Sequence, residues 1–162
     1  MPAGTDKNLP AAAEIKVRQL EWTAPELEQI LEIDALCFNK YDAYTLEDYR
    51  RWFGYNPDLC LVAEIDGQVA GDMISRILDE KAELASLATH PAYRRRGVGS
   101  ALLDETVRRV KAYGIGHIDL EVRKTNLAGL SFWKEMGFVV IGEQPGFYGD
   151  GEDALVMRKT IT

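Results

Sequence analysis

Tyr93-Arg94-Arg95-Arg96-Gly97-Val98-Gly99-Ser100 joins an apolar, strand-like segment (residues 84–89) to an amphipathic helical pattern (residues 101–113). Two glycines let the backbone bend and approach a ligand closely. The first N–H groups of a helix have no partner within it and point at whatever sits there. A basic turn of this kind suits a pyrophosphate. The bland alternative is that the glycines only permit a tight strand-to-helix turn. No Gly-Lys-Ser/Thr follows, so this is not a P-loop. Position 102 is Leu rather than a third glycine, and no early parallel βαβ unit precedes it, which argues against a dinucleotide fingerprint.

Downstream, Leu102, Leu103, Thr106, Val107 and Val110 form one apolar stripe, Arg108, Arg109 and Lys111 fall late where they suit the helix dipole, and Gly114 ends the helix. A strand is expected over residues 117–123, a helix over 127–136 stopped by Gly137, and a strand over 138–142. A glycine-rich loop over 145–151 leads to a last strand over 154–159. Upstream, residues 15–20 alternate as a strand does. Thr23, Pro25 and Glu26 resemble a capped helix start, and the helix runs to Cys37 with Asp34 as a polar intruder. A second helix covers 46–53. Strands over 59–65 and 68–78 flank Asp66-Gly67, a strong two-residue hairpin signal, with Gly71 as a bulge candidate. A turn at 79–81 leads to a strand over 82–89. The order β-α-α-β-β-β-α-β-α-β-β predicts an α+β fold, a mixed and mostly antiparallel sheet flanked by helices. It forms one domain over residues 14–162, after a disordered lead over 1–13.

Composition sets bounds. A chain of 162 residues can bury a sizeable single core. Its net charge of −7 argues against broad nucleic-acid binding, which needs a positive surface. Apolar runs are too short for a membrane span, and the first residues lack the pattern of a signal peptide. Cys37 and Cys60, both in apolar runs, offer neither a disulfide framework nor metal spacing; they are expected as buried thiols in a reducing compartment, the cytoplasm. Asp150, Glu152 and Asp153 lack calcium-loop spacing and serve either the turn or the attraction of a cation. His90 and His117 lack a nucleophile context and are expected to be structural. About half of the aromatic cluster over residues 41–55 should be core, the rest lining a groove.

Arg94-Arg95-Arg96-Gly97-Val98-Gly99 fits the pattern Arg/Gln-x-x-Gly-x-Gly/Ala, and LEVRKTNLAGLSFWKEMGF follows over residues 120–138. With these motifs in this order, residues 82–158 resemble the GCN5-related N-acetyltransferase (GNAT) superfamily, which uses acetyl-CoA. Within it the chain is most similar to the protein N-terminal acetyltransferases, including the bacterial RimI-type ribosomal-protein enzymes and archaeal relatives. Leu120-Glu121-Val122-Arg123 with Asn126, and Phe147-Tyr148-Gly149-Asp150-Gly151-Glu152-Asp153-Ala154, carry that likeness, with Ile33-Asp34 to Cys37-Phe38 in support. The resemblance implies that Leu87, Ala88 and Thr89 pair with the pantetheine arm of acetyl-CoA. It implies that Arg94, Arg95, Arg96, Gly97, Val98 and Gly99, with Ser100 at the helix start, surround the pyrophosphate. Asn126 and Trp133 would also border the cofactor. Phe38 and Tyr41 from one loop, and Phe147 and Tyr148 from another, would frame a peptide or protein N-terminus, ribosomal proteins among the substrates. No nucleic-acid or membrane partner is implied, and monomer and homodimer both remain open. A small amine (polyamine, amino acid or drug) is the alternative acceptor, and a non-catalytic acyl-CoA sensor the alternative class.

Acetyl transfer needs a neutral amine. An α-amino group has a pKa of roughly 7.7–8.0 against about 10.4 for lysine, so lysine costs about 3.5 kcal/mol more to deprotonate at neutral pH. A mild base suffices for an N-terminus. Glu121, aligned with the glutamate of the RimI-type segment, is the first candidate; Glu83, on the neighbouring strand, is the second. The alternatives are a solvated carboxylate or an ion pair with Arg123 for Glu121, and ordinary surface charge beside Glu80 and Lys81 for Glu83. Relatives often carry a tyrosine where this chain has Trp133, to protonate the departing thiolate; an indole N–H cannot do so. Either no acid is needed, since thiols have a pKa near 8.5, or Tyr148 supplies the proton.

Overall fold

A computed structural model describes residues 14–162; the lead expected over residues 1–13 lies outside the described residues. The elements follow the expected order: β1 (Ile15–Gln19), α1 (Ala24–Cys37), α2 (Leu46–Tyr55), β2 (Cys60–Ile65), β3 (Gln68–Leu78), β4 (Lys81–Thr89), α3 (Val98–Ala112), β5 (His117–Arg123), α4 (Leu127–Glu135), β6 (Val139–Gln144) and β7 (Ala154–Thr160). They build one seven-stranded sheet ordered β1-β2-β3-β4-β5-β7-β6. Every pairing is antiparallel except β4 with β5. No described helix is long and apolar enough to cross a membrane.

The two early hairpins follow from their turn residues. Asp66 and Gly67 both have positive φ, +51° and +76°, and join Ile65 to its partner Gln68. This is the mirror-image turn that matches strand twist. Asp79 and Glu80 do the same between Leu78 and Lys81, at φ +51° and +62°. β2 is buried on both faces, which is why it reads as a continuous apolar run. Leu61, Ala63 and Ile65 pack with Leu102, Leu103 and Val110 of α3. Cys60 and Val62 pack on the other face with Leu27, Ile30 and Tyr49 of α1 and α2.

Four expectations need correction. α3 begins at Val98, three residues early, because Gly97 at φ +82° is its N-cap and the following residues are already helical. The β3 bulge falls at Ala70, between the pairs Ala63–Gly71 and Glu64–Val69, rather than at Gly71. Gly71 is glycine for another reason: a Cβ there would sit 2.6 Å from the Ala88 carbonyl oxygen. Thr23 makes no side-chain cap. Glu26 instead accepts from Glu21 N–H and pairs with Arg18 at 2.5 Å, and Arg18 also holds Glu64. Cys60 is buried as expected, but Cys37 is only half-buried.

Asp34, the polar intruder in α1, is buried and accepts hydrogen bonds from Tyr44 N–H and, at 3.0 Å, from the Tyr49 hydroxyl. The same hydroxyl lies 3.2 Å from Asp72 on β3. One hydroxyl proton cannot serve two carboxylates, so one carboxyl brings its own. Burial first, and the charge of Asp34 second, hold Asp72 well above the usual carboxylate range; burial likewise raises Asp34. The cluster ties α1, α2 and β3 together and fixes the end of the loop between the two helices.

A carboxyl whose folded pKa exceeds its unfolded value binds its proton more tightly in the fold. Its stabilisation is therefore full below the ordinary Asp range and is lost as pH rises through the raised value. Asp72→Asn is expected to flatten the alkaline loss of Tm. Tyr49→Phe, which removes the shared hydroxyl, is expected to cost about 1–3 kcal/mol. Thermal unfolding followed from about pH 5 to pH 9 checks both.

Candidate active site

β4 and β5 pair only at Ala82–Ile118 and Glu83–Asp119, then part. β5 loses nothing on its far edge, where all seven of its residues pair with β7. An extra residue on β4, Ala85, between the pairs Ile74–Ser86 and Ser75–Leu84, bends that strand at the fork. The parting opens a groove of about 1240 Å³, bordered by β4, β5, the start of α3, α4 and the loops at residues 38–45 and 145–153.

One end of the groove has the geometry and charge that suit an anion. Arg95 at φ +62° and Gly97 at φ +82° turn the backbone so that the N–H groups of the first α3 turn converge there. Arg94 and Arg95 line this end, and Arg94 donates to Thr89 O at 3.4 Å and Cys37 Sγ at 3.6 Å. Gly99 is helical; its missing Cβ matters because it would lie 3.0 Å from Phe132 Cζ. Leu87 and Thr89 face the groove, whereas Ala88 is buried on the opposite side of β4. Arg96 also lies outside the lining and rests over the Tyr93 ring at 5.6 Å. Asn126 borders the groove while its Oδ1 caps α4, accepting from Gly129 N–H at 2.9 Å. Trp133 touches the groove but is mainly core, edge-on to Phe132 and Phe138. The open backbone of β4, the converging N–H groups and the space reserved at Gly99 together fit an extended ligand with a phosphate terminus.

Glu83 and Glu121 meet at the fork. Glu121 stands in the groove, reachable by solvent yet surrounded by protein. Burial first, then the charge of Glu83, raises its pKa above the ordinary carboxylate value. Glu83 is not free surface charge: it pairs at 2.9 Å with Arg76, its cross-strand neighbour on β3. Arg76 is in turn held over the rings of Trp52 at 4.3 Å and Tyr55 at 4.7 Å. Sequence reasoning missed Arg76; its one signal was a charge inside an otherwise buried strand.

Beyond the fork, the loops bring Phe38, Tyr41, Phe147 and Tyr148 to the groove. Arg123 does not pair with Glu121, contrary to the simplest alternative for that glutamate. It binds Asp42, Asp150 and Glu152. Asp153 serves the turn, accepting from Gly146 N–H at 2.9 Å. Burial pushes the Tyr148 hydroxyl up to about 12, with Asp42 adding to the shift. Tyr49 is core, Tyr44 and Trp52 border the groove, and Tyr55 is exposed beside Arg76. His90 caps the short turn after β4, its Nδ1 accepting from Ala92 N–H.

Comparison with known proteins agrees with this geometry. The sequence pattern of the acetyltransferase (GNAT) family matches residues 27–138. The N-alpha-acetyltransferase of Sulfurisphaera tokodaii is 31% identical over 166 aligned positions, covering 91% of this chain and 94% of that protein. The [ribosomal protein bS18]-alanine N-acetyltransferase of Escherichia coli K12 is 31% identical over 100 residues, 60% of this chain and 68% of its own length. The crystal structure of Ard1 from Thermoplasma volcanium superposes with a TM-score of 0.82 at 24% identity, covering 91% of this chain and 98% of that one, and so shares the fold. With the family pattern spanning most of the chain and the forked sheet beneath it, this protein belongs to the GNAT family of acetyltransferases.

Proposed function

We propose that this enzyme transfers an acetyl group from acetyl-CoA to the α-amino group of peptide and protein N-termini. The observation that carries the reading is the fork between β4 and β5, with an anion cradle at one end and paired carboxylates with two aromatic loops at the other. The N-alpha-acetyltransferase relative, matched along nearly its whole length, supports it. The two described cysteines are unpaired, which fits the cytoplasm.

Acetyl-CoA, the donor of the family, supplies the thioester carbonyl that the amine attacks. The first turn of α3 with Arg94 and Arg95 would hold its phosphates, and the free edge of β4 at Leu87 and Thr89 would meet its arm. Glu121 takes the proton of the α-ammonium group, directly or through water. Its raised pKa brings it closer to that of the amine, which lessens the cost of transfer. Glu83, fixed by Arg76, supplies the charge that helps raise Glu121. Tyr148 is a poor proton donor. A phenol at about 12 facing a thiol near 8.5 would give up its proton uphill by roughly 5 kcal/mol. The second proton of the nitrogen, released as the amide forms, passes to the departing sulfur directly or through solvent, and Tyr148 contributes its ring.

Three outcomes are expected. Thiol release from acetyl-CoA, measured over peptides varied at positions one and two and beside polyamines and free amino acids, proceeds with peptides; turnover confined to small amines overturns the reading. Glu121→Gln lowers kcat by about 10²–10⁴-fold and, while the limb set by the amine's own ionisation stays, removes from the pH–rate profile the acidic limb that belongs to Glu121. Glu83→Gln removes a like charge from Glu121, so that limb moves to lower pH; an unmoved limb would sink the role given to Glu83.

A further inference from the structure

Arg123, at the end of β5, is 9% exposed and reaches two loops that arrive from opposite sides of the groove. Its Nε and Nη2 donate to the Asp42 carboxylate at 2.6 and 2.7 Å. Its Nη1 donates to Asp150 at 2.9 Å and Glu152 at 2.5 Å. Asp42 belongs to the loop at residues 38–45; Asp150 and Glu152 belong to the loop at residues 145–153. The Tyr148 ring centroid lies 4.1 Å from the guanidinium carbon. The two loops also meet directly: a Cβ on Gly149 would sit 3.4 Å from Tyr41 Cδ1.

We propose that Arg123 is a positioning residue that bolts these two loops into a closed clasp and so sets the shape of the acceptor pocket. It lines the groove but spends its hydrogen bonds on the loops, acting through Phe38, Tyr41, Phe147 and Tyr148, which ride on them. The pocket as a peptide site rests on the function proposed above; the clasp itself does not. A planar guanidinium presents its donors in a fixed fork and can serve carboxylates from two directions at once. Without it, three carboxylates face one another uncompensated, so attraction between the loops becomes repulsion. A lysine offers one compact charge and cannot span both partners.

Hydrogen–deuterium exchange, together with steady-state kinetics on an N-terminal peptide, tests the clasp. In Arg123→Gln, exchange should rise in both loops together while β2 and β3 stay protected. The peptide KM should rise about tenfold, the effect of roughly 1.4 kcal/mol. The acetyl-CoA Kd and kcat should change by less than about threefold. Arg123→Lys should recover only part of the peptide KM. Asp42→Asn, on a loop rather than in the sheet, should loosen the clasp even if Arg123→Gln fails to fold. Exchange unchanged in both loops, or raised in only one, overturns the proposal. So does a collapse of kcat at constant peptide KM, which would place Arg123 in the chemistry. If the wild-type enzyme acetylates small amines and no peptide, the acceptor reading fails, while the exchange measurement still decides the clasp.

Discussion

The rest of the site depends on two strands that stop pairing. A sheet gains from every rung of its ladder, and a buried backbone donor or acceptor without a partner costs about 1–3 kcal/mol. β4 and β5 give up their rungs after Glu83–Asp119. The fold tolerates this because the freed edges face a groove that water can enter, and because β5 keeps a full ladder with β7 on its other side. The Ala85 bulge on β4 makes the separation a built feature of the strand. What the fork leaves open is backbone that an amide-bearing chain can satisfy. It also places the start of α3 at the far end of the opening.

Charge is sorted along that opening. Arg94 and Arg95 stand at the helix end; Glu83 and Glu121 stand at the fork and Asp42 beyond it, with Arg76 the counterion of Glu83 and Arg123 that of Asp42. The overall charge of −7 conceals this polarity. Such a polarity favours anionic groups at one end of the opening and cationic groups at the other. Low-dielectric walls strengthen the effect and also account for the raised Glu121.

Much of the fold was legible because its punctuation is local. Asp66-Gly67, the 79–81 turn, Gly114 and Gly137 mark breaks that the chain obeys, and the alternation of β4 and the stripe of α3 need no distant partner to be read. At two of the places where the reading slipped, a distant atom decided. Gly71 is small because Ala88 of β4 lies against it, and Glu26 left its capping role for Arg18. In the site, the glycine turn and Glu121 could be found from motifs. Arg76 could not, because Glu83 lies across a hairpin; Arg123 stands in the same motif as Glu121, but its partners could not be read, because Asp42 lies 81 residues away. Ion pairs of that kind leave no periodicity in a sequence. Asp34 is the instructive case: it looked like an intruder in an apolar helix, and only the fold supplies Tyr44, Tyr49 and Asp72 around it.

With Glu121 as the proposed base, choice of amine has two physical parts. An α-ammonium group and a lysine differ by roughly 2.5 pKa units, so any one carboxylate takes the proton of the first at about 3.5 kcal/mol less cost than that of the second. Acceptor selection is therefore divided. The electrostatics at the fork favour an amine that loses its proton readily, and the aromatic loops decide which side chain beside that amine can reach the fork. The first part belongs to the sheet, held by the Glu83–Arg76 pair and its stacked rings. The second belongs to loops that no ladder supports, so whatever tunes their closure can change substrate preference without altering the base.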